Sequence, residues 1–158
     1  MTRLHHLIRG DCLNVDIQQE IIRSFASPIS VLVVEDETLI RLLACDSLRD
    51  DGFDVETAAS AADAIAVLES GSRVDIVFTD VMMPGTMNGI GLANWIRIHR
   101  PGLPIALTSG TSRSRLSEMG LRDEETYFAK PVDFGRLIAH IRAVVAATRP
   151  VAASSQAD

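Results

Sequence analysis

The sequence has few cysteines, no long apolar run and no excess of positive charge. Its two cysteines, Cys12 and Cys45, are too few and too far apart to indicate a disulfide scaffold or a zinc site. No apolar run reaches the ~18 residues of a membrane span, and the N-terminus lacks the apolar stretch of a secretory signal. A net charge of −6 argues against nucleic-acid backbones or anionic lipid as the main partner. These absences predict a cytoplasmic protein with reduced thiols.

The chain does have a regular alternation of apolar runs and helix-like segments over residues 29–147. Five runs predict strands, at Ser30–Glu35, Asp54–Ala58, Val74–Thr79, Leu103–Thr108 and Thr126–Ala129. Apolar residues recur at helical spacing between them, for example from Ala61 to Leu68 behind a Ser60 cap. The alternation predicts an α/β fold in which helices cover both faces of a five-stranded parallel sheet, and a single domain over residues 29–147.

Three segments give a weaker signal. Residues 1–28 carry apolar residues four apart, from Leu13 to Phe25, and two interpretations stay open: a frayed extension, or a helix that docks on the domain or on a second copy. Residues 148–158 have the composition of a disordered tail. Ser112 to Glu125 is poor in apolar residues and rich in charges, so we expect its helix to be the least firmly packed and the most mobile.

Polar residues of specific kinds lie at the ends of the predicted strands. Glu35 and Asp36 come at the end of the first strand, Asp80 follows the third, Thr108 ends the fourth and Lys130 follows the fifth. In a doubly wound sheet, functional groups gather at the carboxyl ends of the strands. Taken singly, each acid is explained by a helix cap and the lysine by solvation. The joint pattern is what indicates a functional site.

This set of side chains suits phosphoryl chemistry. Three carboxylates within ~5 Å repel one another by ~3 kcal/mol per pair at an effective dielectric of 20, so the cluster needs cations. Hard oxygen ligands in a small open site favour Mg²⁺, and Lys130 adds a fixed positive charge. A carboxylate beside these cations can attack phosphorus, while the Thr108 hydroxyl donates to a phosphoryl oxygen. The pattern predicts an aspartyl phosphate at Asp80.

Four motifs carry a resemblance to a known family. They are VLVVEDE (Val31–Glu37), FTDVMMPG (Phe78–Gly85), ALTSG (Ala106–Gly110) and YFAKP (Tyr127–Pro131). In this order and spacing, the chain from Ile29 to about Ala147 resembles the receiver domain of bacterial two-component response regulators. The resemblance implies a flavodoxin-like fold with strand order 2-1-3-4-5 and five helices.

The resemblance also implies an acceptor and a metal site. Asp80 matches the phosphoacceptor, which takes a phosphoryl group from a sensor histidine kinase or a histidine phosphotransfer protein. Asp36 and Asp80 match the direct Mg²⁺ ligands, with Glu35 acting through water. Met82, two residues after the acceptor, is expected to offer its backbone carbonyl to the ion.

Three further residues match the phosphate-binding and switching positions of the family. Lys130 matches the phosphate-binding lysine, and the Lys130–Pro131 peptide is expected to be cis. Thr108 matches the switch hydroxyl and Tyr127 the switch aromatic. Movement of Thr108 toward the phosphoryl group is expected to open space for Tyr127, and the signal is expected at the fourth helix, the fifth strand and the fifth helix.

The chain departs from the family pattern in the segment PGTMNG (Pro84–Gly89), which is one residue longer than the commonest form. This loop is therefore expected to take its own path. Neither Met82 nor Gly110 has a side chain able to orient an attacking water. We therefore expect slow loss of the phosphoryl group, and a self-hydrolysis half-life of seconds would contradict this.

Three functions are consistent with the sequence. The leading one is a stand-alone receiver, not an enzyme beyond its own phosphorylation and dephosphorylation, that acts as a phosphate sink, a relay or a regulator of a downstream protein. It is expected to be a monomer or weak homodimer. No nucleic-acid partner is expected, because no basic recognition helix follows Ile141. One alternative is an Mg²⁺-dependent aspartyl-phosphate phosphatase or phosphotransferase, although Met82 replaces the second acid of its D-x-D motif. The other is a phosphorylation-independent interaction module, whose usual mark, loss of a site residue, is absent.

Overall fold

The computed structural model describes residues 27–148, in which five strands alternate with five helices. The strands are β1 (Ser30–Val34), β2 (Asp54–Ala58), β3 (Ile76–Asp80), β4 (Ile105–Ser109) and β5 (Thr126–Ala129). The helices are α1 (Thr38–Asp50), α2 (Ala61–Glu69), α3 (Gly89–His99), α4 (Arg113–Glu118) and α5 (Phe134–Thr148). None of these helices is long and apolar enough to cross a membrane.

The strands form one parallel sheet in the order β2-β1-β3-β4-β5. This confirms the predicted fold class and strand order. The order reverses between β1 and β3, and open sheets of this kind bind ligands in the crevice at such a point. The fold therefore places the ends of β1 and β3 where a site is expected.

The core follows the alternation of side chains along the strands. Val31 and Val33 face α1 and α5, whereas Leu32 and Val34 face α2 and α3. All four are at most 1% exposed, because helices cover both faces of the sheet. A third cluster includes Leu107 and packs α3 and α4 against β4.

In three of the predicted strands, one or both boundaries were wrong by one or two residues. β1 ends at Val34 rather than Glu35, because the Glu35 carbonyl accepts a hydrogen bond from Arg41 instead of continuing a ladder. β4 starts at Ile105 rather than Leu103, because Pro104 has no N–H to donate. β3 is shifted to Ile76–Asp80, so the strand includes the acid that was predicted to follow it.

The segment predicted to be a weakly packed helix forms only the six-residue α4. Leu116 is the one residue of α4 that is buried. The helix ends before Gly120, whose φ of 104° favours glycine and whose N–H donates to Ser117 O over 3.0 Å. The rest of the predicted segment connects α4 to β5.

The predicted terminal segments fall almost entirely outside the described residues. Of the predicted extension, residues 1–28, only residues 27 and 28 are described. Of the predicted tail, residues 148–158, only Thr148 is described, and it is the last residue of α5. The helix thus continues one residue past the predicted end of the domain, and the domain boundaries stay predictions.

Candidate functional site

The carboxyl ends of the parallel strands bring the predicted site residues to one edge of the sheet. Glu35 and Asp36 follow β1, Asp80 is the last residue of β3, and Lys130 follows β5. Thr108 pairs with Asp80 in the register of β3 and β4. Residues that are up to 95 positions apart in sequence therefore lie together.

Three carboxylates converge at this edge. One carboxylate oxygen from each of Glu35, Asp36 and Asp80 lies within 4.8 Å of the others. Glu35 and Asp80 are only 4% and 5% exposed, whereas Asp36 faces solvent. Like charges at this separation repel by ~3 kcal/mol per pair at an effective dielectric of 20. The cluster is therefore most stable with cations beside it.

The Lys130 ammonium is the cation that the chain itself supplies. Its Nζ lies 2.9 Å from Glu35 Oε2 and 3.2 Å from Asp80 Oδ2. Burial lowers the pKa of Lys130, but the hydrogen bond to Glu35 and the charge of Asp80 outweigh burial, and the pKa is raised. The lysine is therefore charged at neutral pH and bridges the two buried acids.

Burial also acts on Glu35. It raises the pKa of this carboxyl above the ordinary value, against the opposing effects of the Lys130 ammonium and the Glu37 amide. The nearby charge of Asp80 raises the pKa further. A cation that approached this edge would favour the ionised form of Glu35.

Backbone amides hold the second oxygen of each buried acid. The Met82 N–H donates to Asp80 Oδ1 over 3.2 Å, and the Glu37 N–H donates to Glu35 Oε1 over 3.2 Å. The other oxygen of each carboxylate contacts Lys130. Neither carboxylate can rotate without losing one of these contacts, so both are fixed in orientation.

Arg41 is a site neighbour that the sequence reasoning missed. From the start of α1, its guanidinium donates to the backbone carbonyls of Glu35 and Asp36 and to the Thr38 hydroxyl. The only sequence signal was position: a long cationic side chain one helical turn after the acids can fold back over the loop that carries them.

The predicted switch residues are oriented toward β5 and the loop after β4. The Thr108 hydroxyl donates to Phe128 O over 2.9 Å. The Tyr127 hydroxyl lies 3.0 Å from Ser109 O and 2.7 Å from Thr111 O, and its single proton is donated to one of them at a time. The Lys130–Pro131 peptide is cis, as expected.

The loop between β3 and α3 closes tightly on the site. The Gly89 N–H donates to Val81 O over 3.0 Å, and the Asn88 side chain caps α3. The loop turns at Gly85, whose φ of 114° favours glycine. A Cβ on Gly89 would lie 2.2 Å from the Asp80 carbonyl oxygen. Glycine therefore lets α3 begin directly against the end of β3.

The donors at this edge fit a small, hard cation. Carboxylate oxygens are ligands that Mg²⁺ prefers, and this ion uses few protein ligands because it keeps several waters. The exposed Asp36 carboxylate makes no hydrogen bond or ion pair to another residue within 27–148, so it is open to coordination. The three acids can therefore hold a metal ion.

Comparison with known proteins agrees with this geometry. Residues 31–142 match the sequence profile described as the response regulator receiver domain. The chain belongs to this family. The receiver domain is 31% identical over 127 residues to the probable transcriptional regulatory protein TcrX of Mycobacterium tuberculosis, an alignment that covers 80% of this chain and 53% of TcrX.

Two further relatives support the same assignment. The receiver is 33% identical over 126 residues to the response regulator MprA of Mycolicibacterium vanbaalenii, which covers 78% of this chain and 53% of MprA. It superposes on the crystal structure of a response regulator receiver protein from Sinorhizobium medicae with a TM-score of 0.69 and 28% identity, over 77% of this chain and 98% of that one. The chain thus spans about half the length of these two regulators and matches a whole receiver structure.

Proposed function

We propose that this receiver accepts a phosphoryl group on Asp80 from the phosphohistidine of a sensor histidine kinase or a histidine phosphotransfer protein. The proposal rests on the two contacts that orient the Asp80 carboxylate. Its Oδ2 lies 3.2 Å from Lys130 Nζ, and its Oδ1 accepts a hydrogen bond from the Met82 N–H. A carboxylate fixed in this way beside a cation is oriented for attack on phosphorus.

In the proposed reaction, a carboxylate oxygen of Asp80 attacks the phosphorus of the donor. A P–O bond forms while the P–N bond to the donor imidazole breaks, and the imidazole takes up a proton as it leaves. Lys130 then holds a phosphoryl oxygen, since its ammonium already lies beside Asp80. The Thr108 hydroxyl then donates its hydrogen bond to a second phosphoryl oxygen instead of to Phe128 O.

We propose that Mg²⁺ binds at the acidic cluster during this reaction. Asp36 and Asp80 are the proposed carboxylate ligands, Met82 the proposed carbonyl ligand, and Glu35 acts through water. When bound, the ion supplies positive charge that offsets the charge of the phosphoryl oxygens. The proximity of the three carboxylates and the open carboxylate of Asp36 support this assignment.

The proposed output is a change in α4, β5 and α5. A phosphoryl group adds a charge of about −1.5 to −2 at the end of β3. Thr108 connects this position to β5 through Phe128 O, and Tyr127 connects β5 to Thr111, just before α4. Loss of the hydrogen bond between Thr108 and Phe128 O would loosen the contacts of the Tyr127 hydroxyl. The loop after β4 and α4 could then rearrange.

The proposed partners are a histidine kinase or phosphotransfer protein and a downstream protein target. A net charge of −6 argues against direct binding to nucleic acid. We propose a cytoplasmic location and a monomer or weak homodimer. With Met82 beside the acceptor and no polar side chain at Gly110, the phosphoryl group is proposed to be lost slowly.

The test is incubation of the full chain with Mg²⁺ and acetyl phosphate, followed by intact-mass measurement. A phosphate-sized gain is expected for the wild type and none for Asp80→Asn, which keeps the size of the side chain but removes the nucleophile. The gain is expected to disappear when a chelator removes Mg²⁺. An equal gain in Asp80→Asn would refute the proposal, and turnover of a generic phosphomonoester would favour a phosphatase instead.

A further inference from the structure

We infer that Arg41 is a positioning residue for the metal site: it fixes the backbone that carries Glu35 and Asp36, and so holds Asp36 ready to bind Mg²⁺. The inference rests on the proposed function, because it assigns Arg41 a part in binding the proposed ion. It concerns a side chain that touches none of the three carboxylates.

The contacts of Arg41 lie on the backbone on both sides of Asp36. Its Nη1 donates to the carbonyl of Glu35 and lies 3.3 Å from the carbonyl of Asp36. Its Nη2 lies 3.4 Å from Thr38 Oγ1. The planar fork of a guanidinium can hold two neighbouring acceptors at once. One side chain therefore fixes the peptide groups before and after Asp36.

Asp36 is the acid of the cluster with the least support of its own. Glu35 and Asp80 are buried, and each has one oxygen on an amide and one on Lys130. Asp36 is exposed and lies beyond the end of β1, so no strand ladder holds it. Its position depends on the path of the backbone, which is what Arg41 holds.

Besides the Glu35 carboxylate, which accepts the Glu37 N–H, Arg41 is the side chain that anchors the start of α1. Glu37 occupies the N-cap position of α1 but makes no side-chain capping hydrogen bond. The buried carbonyl of Glu35 would lack this partner without Arg41. Groups that contact and orient a metal ligand increase metal affinity, because they restrict the conformations of the ligand before the ion binds.

Charge and positioning predict opposite effects of removing Arg41. Loss of a positive charge near the acids would strengthen the binding of Mg²⁺ if charge alone mattered. Loss of the backbone contacts would weaken the binding, because Asp36 would have to be ordered by the ion itself. The sign of the change in affinity therefore separates the two roles.

The experiment measures Mg²⁺ affinity of the full chain by isothermal titration calorimetry without any phosphodonor. We expect Arg41→Gln to weaken binding by about tenfold, at the low end of the effect of such outer contacts. Arg41→Lys keeps the charge but can reach only one carbonyl, so an intermediate affinity is expected. Arg49→Gln is the matched control, because Arg49 lies on the same helix and donates to a backbone carbonyl, Val55 O, away from the site; its affinity is expected to stay within about twofold of the wild type.

The outcomes distinguish the inference from the proposed function. Wild-type binding with equal or tighter binding by Arg41→Gln overturns the role of Arg41 and leaves the metal site standing. No binding by the wild type overturns both. Circular dichroism and a thermal midpoint establish that each variant is folded, and a purely structural role would lower the midpoint without changing the affinity. If Arg41→Gln does not fold, wild-type affinity in Arg41→Lys overturns the inference.

Discussion

The Asp80 side chain is held in position by three separate parts of the chain. Asp80 is the last residue of β3, its Oδ1 accepts a hydrogen bond from the Met82 N–H, and its Oδ2 contacts the Lys130 ammonium after β5. Met82 and Lys130 each lie within two residues of the end of a strand, which restricts their positions. The carboxylate would therefore need little reorganisation in the proposed attack on a phosphodonor.

His140, on α5, provides a pH test at the scale of one residue. Its ring lies edge-on to the Phe128 ring, with 5.6 Å between the ring centroids, and burial lowers the pKa of His140 below the ordinary 6.5. The folded state therefore favours the neutral ring. As the pH falls below 6.5, the unfolded chain takes up a proton before the folded chain does. The stability contributed by the neutral ring is present above 6.5 and is lost as the pH falls through the lowered folded pKa.

We expect the wild type to lose more unfolding free energy than His140→Asn between neutral and mildly acidic pH. Urea unfolding of both proteins across this pH range measures the difference between their losses of unfolding free energy. The titration of the other groups contributes equally to both proteins and drops out of this difference. Equal losses in the two proteins would show that the environment of His140 does not disfavour its charged form.

At the scale of elements, the close approach of α3 to β3 depends on Gly89. A Cβ at this position would lie 2.2 Å from the Asp80 carbonyl oxygen and 2.8 Å from Val81 Cα, both backbone atoms. We expect Gly89→Ala to lower the free energy of unfolding by about 3 kcal/mol, because backbone must shift to make room.

Gly91 is the matched control for this prediction. It lies in the same helix, and an added Cβ would meet the Met87 Cγ at 2.8 Å. A methionine side chain can move away, so we expect Gly91→Ala to change the free energy of unfolding by less than about 1 kcal/mol. Equal effects of the two substitutions in urea unfolding would contradict the account.

An arginine at the start of the short helix α4 contacts the connection from α4 to β5. Arg113 donates to the carbonyls of Asp123, over 2.7 Å, and Glu125, over 3.3 Å, in the connection to β5. Leu116 is the buried residue of α4. We expect Arg113→Gln to speed amide hydrogen exchange across residues 113–125 while the five strands keep their protection.

The control for α4 is Arg115→Gln. Arg115 is exposed on the same short helix, so its loss removes the same charge from the helix without removing these contacts. Exchange measured by mass spectrometry is expected to stay unchanged in this variant. If both variants exchange alike, or neither differs from the wild type, the connection is not held by Arg113.

The sequence predicted the elements whose periodicity reflects burial. The run from Val31 to Val34 is apolar because helices cover both faces of β1, and this pattern is visible without coordinates. The site acids were predictable for a related reason, because their positions at strand ends follow once the strands are known. The contacts of Arg41 with two backbone carbonyls were not predictable, because they depend on the path of the loop that follows β1.

At the scale of the whole molecule, contacts through β4 connect the acidic edge to β5, which is an outer strand of the sheet. The contacts run from Asp80 to Thr108 on β4, and from Thr108 to β5. In the proposed output, a shift of α4, β5 and α5 between two conformations from a ratio of 1:99 to 99:1 would need about 5.5 kcal/mol of differential stabilisation. A few charge-assisted hydrogen bonds to a phosphoryl group, at about 1.5–3 kcal/mol each, are sufficient.

The central claim is that Asp80, and not its acidic neighbours, carries the phosphoryl group. Borohydride reduction tests it most directly, because it converts an acyl phosphate to an alcohol and so marks the acceptor permanently. The full chain is treated with Mg²⁺ and acetyl phosphate, reduced, digested and mapped by mass spectrometry. We predict homoserine at position 80, with Glu35 and Asp36 unmodified. Reduction at either of those two acids, or no reduced residue in a sample whose intact mass shows bound phosphate, would contradict the account.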